Sequence, residues 1–164
     1  MSEQHAIQRA CQYFLDDRNS YGCAETTFMV LKEAFGLPDP GDPSPAIALN
    51  GGVAYSGGMC GVITGAALAV GMLAEKRISD HRLAKRAARQ IVADLMGIFQ
   101  TLHGAVDCYE LTGMDLRDED QHRRFIWSGL WRTRCLGQIE TAVRLLVPLT
   151  GEDGWRKILE EIIP

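Results

Sequence analysis

The chain has 164 residues, a formal net charge of −4, 46% hydrophobic and 23% charged residues. That is the length of one domain, residues 1–164, large enough to bury a core without covalent staples, and the acidic balance excludes a nucleic-acid binder that works through bulk charge. No basic start leads into an apolar run at residues 1–5, so no secretory leader is read and a cytoplasmic location is expected. In that setting the five cysteines point to metal binding or redox chemistry and not to a disulfide framework.

Residues 3–16 read as a first helix, with Ile7, Ala10, Cys11, Phe14 and Leu15 on its apolar face. Cys11 falls on that stripe and is expected to fill core space. After the polar break 16–20, a second helix is expected over 22–35, with Ala24, Phe28, Leu31 and Phe35 on one stripe and Cys23 in its first turn. Residues 36–45 carry four prolines and two glycines and cannot continue a helix.

The chain is organised around the next stretch, 51–67, which begins as a glycine loop and ends as an Ala-rich helix. No charge occurs from Pro43 to Ala74, yet the continuous apolar helical part, about 59–74, is short for a bilayer and interrupted before it by polar residues and glycines. It reads as a buried central helix and not as a membrane span. Cys60 falls in its first turn, where unpaired N–H groups and the positive dipole end favour a thiolate, hence a ligand or nucleophile. Its thiol is therefore expected to be the most acidic of the five. Gly57, Gly61 and Gly65 recur every four residues and leave one helix face bare. Gly58, Gly61 and Gly65 are the candidate cofactor contacts, with close helix packing as the alternative.

Ser79 is the expected N-cap of a long helix to about 102, whose Ala84, Ala88, Ile91, Leu95, Ile98 and Leu102 give the cleanest helical period in the chain. Arg82, Lys85, Arg86 and Arg89 on it read as a solvated face, and His103-Gly104 closes it. Residues 105–116 read as a loop with a short helical turn beginning near Cys108, and 117–122 as a charged, solvent-facing stretch. Residues 132–135 lead into a helix with Ile139, Ala142, Val143 and Leu146 on its stripe, ended by Pro148 and Gly151. A last short helix carries Trp155, Ile158, Leu159 and Ile162. No segment alternates with period two, so the expected fold is all-α, a compact helical bundle around the buried Gly/Ala-rich helix.

With Cys11 set aside, Cys23, Cys60 and Cys135 lie at or near predicted helix starts and Cys108 in an ordered turn. None belongs to a CxxC pair, which removes zinc-ribbon and thioredoxin-type motifs. His103 and Asp107 flank Cys108 and could tune it, although a helix-ending His and a turn-forming Asp explain them as well. Glu25 reads as a favourable charge in a helix first turn. No Ser-His-Asp set, Walker loop or dinucleotide fingerprint is present.

The sequence resembles the C_GCAxxG_C_C family, small redox-active proteins marked by four cysteines and a CGAxxG motif. Gly22-Cys23-Ala24, Gly58-Met59-Cys60-Gly61-Val62-Ile63-Thr64-Gly65, Asp107-Cys108 and the isolated Cys135 carry the likeness, which spans about residues 20–145. Val62 stands where the family motif has Ala. The resemblance implies a redox role through Cys23, Cys60, Cys108 and Cys135.

Three chemistries follow. In the first, the four cysteines are metal ligands, holding an iron–sulfur cluster for electron transfer. In the second, Cys60 and Cys23 are the reactive thiols of a metal-free thiol–disulfide protein. In the third, the chain is a helical interaction module with a structural zinc, ranked below iron–sulfur as cofactor. A redox partner protein is expected in the first two, and a homo-oligomer is left open.

Overall fold

Why α2 forms where it does sets the rest of the architecture. The computed structural model describes residues 1–163; Pro164, the last residue of the expected domain, lies outside them. Helix α2, Cys23–Ala34, is held at its first turn by Glu25, whose Oε2 accepts from the Gly22 N–H at 2.8 Å. It is enclosed by α1 (Glu3–Phe14), α3 (Gly61–Arg77) and α7 (Leu136–Leu146). Phe28, Met29, Val30 and Leu31 are all almost fully buried on it. Lys32, only 2% exposed, keeps its charge solvated by protein: Nζ donates to the carbonyls of Asp39 and Asp42, at 2.6 and 2.9 Å, which pins the Pro-rich loop to the helix.

The Gly/Ala-rich α3 is the central layer, with α2 on one side and α4 (His81–His103) on the other. Its small-residue row lets α2 approach backbone to backbone: a Cβ at Gly65 would overlap the Ala24 carbonyl oxygen. The Cys60 helix, expected to be the buried centre of the bundle, is central, but α2 is the more buried of the two. Ten of the twelve residues of α2 are buried against nine of seventeen in α3, because the last turn of α3, with Glu75 and Lys76, reaches solvent.

Helix α4 starts one residue later than the Ser79 cap implies, since Asp80 Oδ1 accepts from the Leu83 N–H at 2.9 Å. Its buried stripe runs Ala84, Ala87, Ile91, Leu95, Phe99, so Ile98 and Leu102 face solvent despite their periodic spacing. Gly104 closes it with φ +85°. The chain continues through α5 (Cys108–Thr112), α6 (Glu119–Trp127), a π turn at Trp131–Cys135, α7, a 3₁₀ turn at Val147–Thr150 and α8 (Glu152–Ile162). The fold is all-α. Among the described residues the only β feature is an isolated antiparallel bridge between Met59 and Asp107, and no helix is long and apolar enough to cross a membrane.

Candidate thiol site

Two loops far apart in sequence are laced together at the Met59–Asp107 bridge. The Cys60 N–H donates to Val106 O at 2.8 Å, the Cys108 N–H to Gly58 O at 2.7 Å, and the Tyr109 N–H to Gly57 O at 2.9 Å. This pairing sets Cys60, the N-cap of α3, beside Cys108, the first residue of α5. Gly58, a candidate cofactor contact, thus spends its carbonyl on Cys108. Gly61 faces α2: a Cβ built there would stand 2.5 Å from Cys23 Sγ. Gly65 faces Ala24, in the close helix packing described above.

Cys23 opens α2, and the side chain of Asn50 completes that opening. Asn50 Oδ1 accepts from the Ala24 N–H at 3.0 Å and lies 3.9 Å from Cys23 Sγ, while Nδ2 donates to Glu25 Oε2 at 2.8 Å. A Cβ at Gly22 would overlap this Asn50 amide, so glycine is required there by close approach. Asn50 leads into a left-handed turn in which Gly51, Gly52, Val53, Ala54 and Tyr55 all have positive φ, between +51° and +78°. Such angles are strained for residues with a Cβ, most of all for β-branched valine. The turn brings the Tyr55 ring over Gly51 and within 5.0 Å of the His122 ring.

Cys135 ends the π turn that precedes α7. The turn is anchored by Trp131, whose Nε1–H donates to Ile126 O at 3.2 Å and whose ring packs edge-on to Phe14 at 5.4 Å. Cys23, Cys108 and Cys135 then line one cavity of about 130 Å³, walled by Phe14, Phe125 and Trp131, with Tyr55 and His122 also on its lining. Cys60 is buried and does not line that cavity; its thiol donates to Gln138 Oε1 at 3.9 Å. Val62 is fully buried in the core and is not part of the cavity lining.

All five cysteines are free thiols. Burial pushes the Cys60 thiol well above its ordinary range, and neighbouring Cys23, Cys108 and Cys135 push it further, against the pull of the Val62 N–H. The expected acidic Cys60 is therefore corrected: loss of hydration outweighs the helix terminus. Cys23 is raised by burial against the opposing N–H groups of Gly51 and Ala24. Burial, then Cys23, raises Cys108 to about 12. Cys135 is raised by burial, then by Cys23 and Cys108. Cys11 stands apart on α1, half-buried and not in the core as expected, with Glu140 and no other cysteine among its charged neighbours.

Among the described residues, no three Cys, His, Asp or Glu side chains take the mutual spacing of a single-ion site. His103 turns away to bond Thr141 Oγ1 at 3.0 Å beside Phe99, and Asp107 caps α5 with no side-chain hydrogen bond to it. Arg82, Lys85, Arg86 and Arg89 are exposed, as a solvated face requires. Asn50, Gln138, Trp131 and the Tyr55–His122 pair were not singled out by sequence. Only Asn50 left a sign, the turn-forming Asn50-Gly51 pair.

Such a group of thiols can act in two ways. Buried sulfurs in a medium that penalises thiolates release their protons when a soft cation offsets the charge. Alternatively, two of them lose two electrons and two protons together and form a disulfide.

Residues 21–149 match the model of the C_GCAxxG_C_C family, whose description is "Putative redox-active protein". No curated protein and no solved structure gives a significant match. The family match covers most of the chain, and the chain belongs to this redox-active family.

Proposed function

We propose that this member of the C_GCAxxG_C_C family is a one-electron module in which Cys23, Cys60, Cys108 and Cys135 ligate an iron–sulfur cluster. The observation that carries the reading is that thiols from separate elements gather in one place: Cys23, Cys108 and Cys135 line one cavity, and Cys60 is tied to the Cys108 loop by backbone pairing and adjoins Gly61, which packs on Cys23. All-thiolate donor sets suit such clusters. A single zinc is the poorer fit: bonds of about 2.3 Å draw four sulfurs to roughly 3.8 Å from one another, and no such close group exists among the described residues. A multi-iron core takes a wider ring.

When bound, the cluster supplies reversible one-electron chemistry. The chain's own residues do the rest. Cys23 and Cys60 stand at the N-termini of α2 and α3, whose dipoles favour an anionic ligand set. Asn50 fixes the first turn of α2 and with it the Cys23 sulfur. Phe14, Phe125 and Trp131 make one side of the cavity apolar.

A second reading has its own support. Cys23 Sγ packs against Gly61, the residue next to Cys60, as a reversible Cys23–Cys60 disulfide in a metal-free thiol protein would need.

The test is the visible absorption spectrum of protein prepared without oxygen, with iron, acid-labile sulfide and zinc measured on the same sample. Iron, sulfide and a colour that dithionite bleaches support the proposal. A colourless, metal-free protein with a reducible cross-link is the thiol reading, and stoichiometric zinc without colour is the structural one. Absence of colour, metal and cross-link together would remove all three.

A further inference from the structure

The thiol cavity has one wall unlike the others. It is supplied by α6, which has no buried residue and against which no other helix packs extensively. His122, Phe125 and Ile126 of α6 line the cavity. The next residue, Trp127, is 83% exposed, the most open large hydrophobic side chain in the protein's described part. A tryptophan left in water is unusual in a folded chain, and at interfaces it is among the residues that carry most binding energy.

Charge is arranged around that tryptophan. Residues 121–135 hold four arginines and no acidic residue, in a chain whose net charge is −4. Arg123, Arg124, Arg132 and Arg134 are all exposed. The acidic Asp118, Glu119 and Asp120 sit at the opposite end of α6, where Asp120 pairs with Arg123 at 3.4 Å. Arg123 and Arg124 lie one helical turn before Trp127 on α6, while Arg132 stacks on Trp131 and Arg134 donates to Leu111 O, so the arginines extend as an exposed basic stretch from Trp127 along the π turn that carries Cys135.

We propose that this α6 face, centred on Trp127 with Arg123 and Arg124 beside it and the basic π turn adjoining, is the docking surface for an acidic one-electron carrier protein of the ferredoxin type. The proposal rests on the redox reading above and names its partner. Helix α6 carries cavity-lining His122, Phe125 and Ile126 and, next to them, the exposed Trp127, so a partner seated on Trp127 comes within one helix of the cysteines' cavity. Opposite charge steers the encounter, and an apolar contact at the centre fixes it. With a cluster held by the cysteines, the carrier's reduced [2Fe–2S] centre would give up one electron and that cluster would take it up. No bond is made or broken and no proton is required.

Two other occupants fit less well. A membrane-surface helix needs an apolar face along its length, whereas α6 has nine residues with its apolar side chains gathered at one end, Phe125 to Trp127. A symmetric second copy would set this basic stretch against itself, since a two-fold interface is made from the same patch on both sides.

The experiment uses the anaerobically prepared protein with a reduced plant-type ferredoxin as probe. Its binding is measured by calorimetry and its electron transfer by stopped-flow absorbance, alongside direct reduction by dithionite. Binding and transfer by the wild type are expected to weaken about tenfold or more between roughly 0.05 and 0.5 M salt. Trp127→Ala and the double variant Arg123→Glu/Arg124→Glu should each lose a similar factor in the ferredoxin reaction, with unchanged dithionite reduction and unchanged melting. Rates insensitive to salt and to both variants overturn the docking proposal. So does Arg-dependent binding to anionic phospholipid vesicles with no ferredoxin binding, and so does a dimer broken by Trp127→Ala. A protein that dithionite reduces but ferredoxin does not bind keeps the redox reading and loses this one. A protein that binds ferredoxin through Trp127 and these arginines yet shows no dithionite-reducible centre loses the redox reading and the electron step with it, and keeps only the docking face.

Discussion

The Cys23 sulfur rests against the α-carbon of Gly61, so close that a Cβ on residue 61 would stand 2.5 Å from it. The glycine next to Cys60 is therefore the seat of a second cysteine, contributed by the neighbouring helix.

That contact separates three glycines of one helix. Gly65→Ala meets the Ala24 backbone, which cannot step aside, and should cost about 1–3 kcal/mol by overpacking. Gly61→Ala meets mainly the Cys23 thiol, which can rotate, so its stability loss should be smaller while the thiol is displaced from the cavity. Gly71→Ala, with nothing within 4 Å of its added carbon, should gain up to about 1 kcal/mol from helix propensity. Urea unfolding of the three variants checks the order; a destabilised Gly71→Ala together with a neutral Gly65→Ala would contradict the packing.

Asn50 ties the start of α2 to the loop before α3. Asn50→Ala removes the acceptor of the Ala24 N–H and a donor to Glu25, and should cost about 1–3 kcal/mol. Asn50→Asp restores the acceptor but sets a carboxylate against Glu25. Its cost should be larger near pH 7 than near about pH 4, where carboxylates begin to protonate. Equal cost at both pH values would mean that the Asn50–Glu25 contact is not made in solution.

These two networks mark where sequence was informative. Helices α1, α4 and α7 announce themselves through apolar residues at three-four spacing, because each has one face on the core. Helix α6 does not, because none of its residues is fully buried; its polar start reads as solvent-facing and carries no helical signal. The cysteines at helix starts were visible as a pattern, and the family likeness gathered them. The bond from Asn50 to a helix start 26 residues earlier was not, since no local rule links them. Nor was the raised Cys60 thiol: its place at a helix start after a glycine loop suggests an acidic thiol, yet Cys60 is buried and α7 lays Gln138 beside it. The same glycine row was compatible with a cofactor face or close packing, and only the position of Ala24 places Gly65 in the second.

In the reduced, metal-free protein, the raised thiols predict a loss of stability at alkaline pH. A thiol at 9.0 in the unfolded chain ionises there first, while Cys108 keeps its proton in the fold up to about 12. The unfolded state therefore loses protons before the folded one, and stability present below pH 9 declines as pH rises from 9 towards 12. Each such thiol adds about 1.4 kcal/mol per pH unit within that window. Lysines and tyrosines also titrate there, so the informative quantity is the difference made by Cys108→Ser, which should flatten the decline in urea-unfolding free energy between pH 9 and 11. An unchanged slope would mean that Cys108 is hydrated.

Cys60→Ser distinguishes the chemistries, with Cys11→Ser as its control. Serine at 60 keeps an O–H towards Gln138 and nearly the same volume, so packing changes little. If the cysteines hold an iron–sulfur cluster, Cys60→Ser bleaches or shifts the visible bands and lowers iron and sulfide content. It also lowers the melting temperature, because ligation contributes to folding free energy. If the site is a thiol pair, there is no colour to lose; a reducible cross-link disappears while the reduced form melts almost as before. With zinc, metal and stability fall together without colour. Cys11→Ser should alter none of these, since its sulfur lies on α1 beside Glu140 and outside the group. A Cys11→Ser protein that loses colour, or a Cys60→Ser protein unchanged in colour, metal, cross-linking and melting, would place the chemistry somewhere other than this cavity.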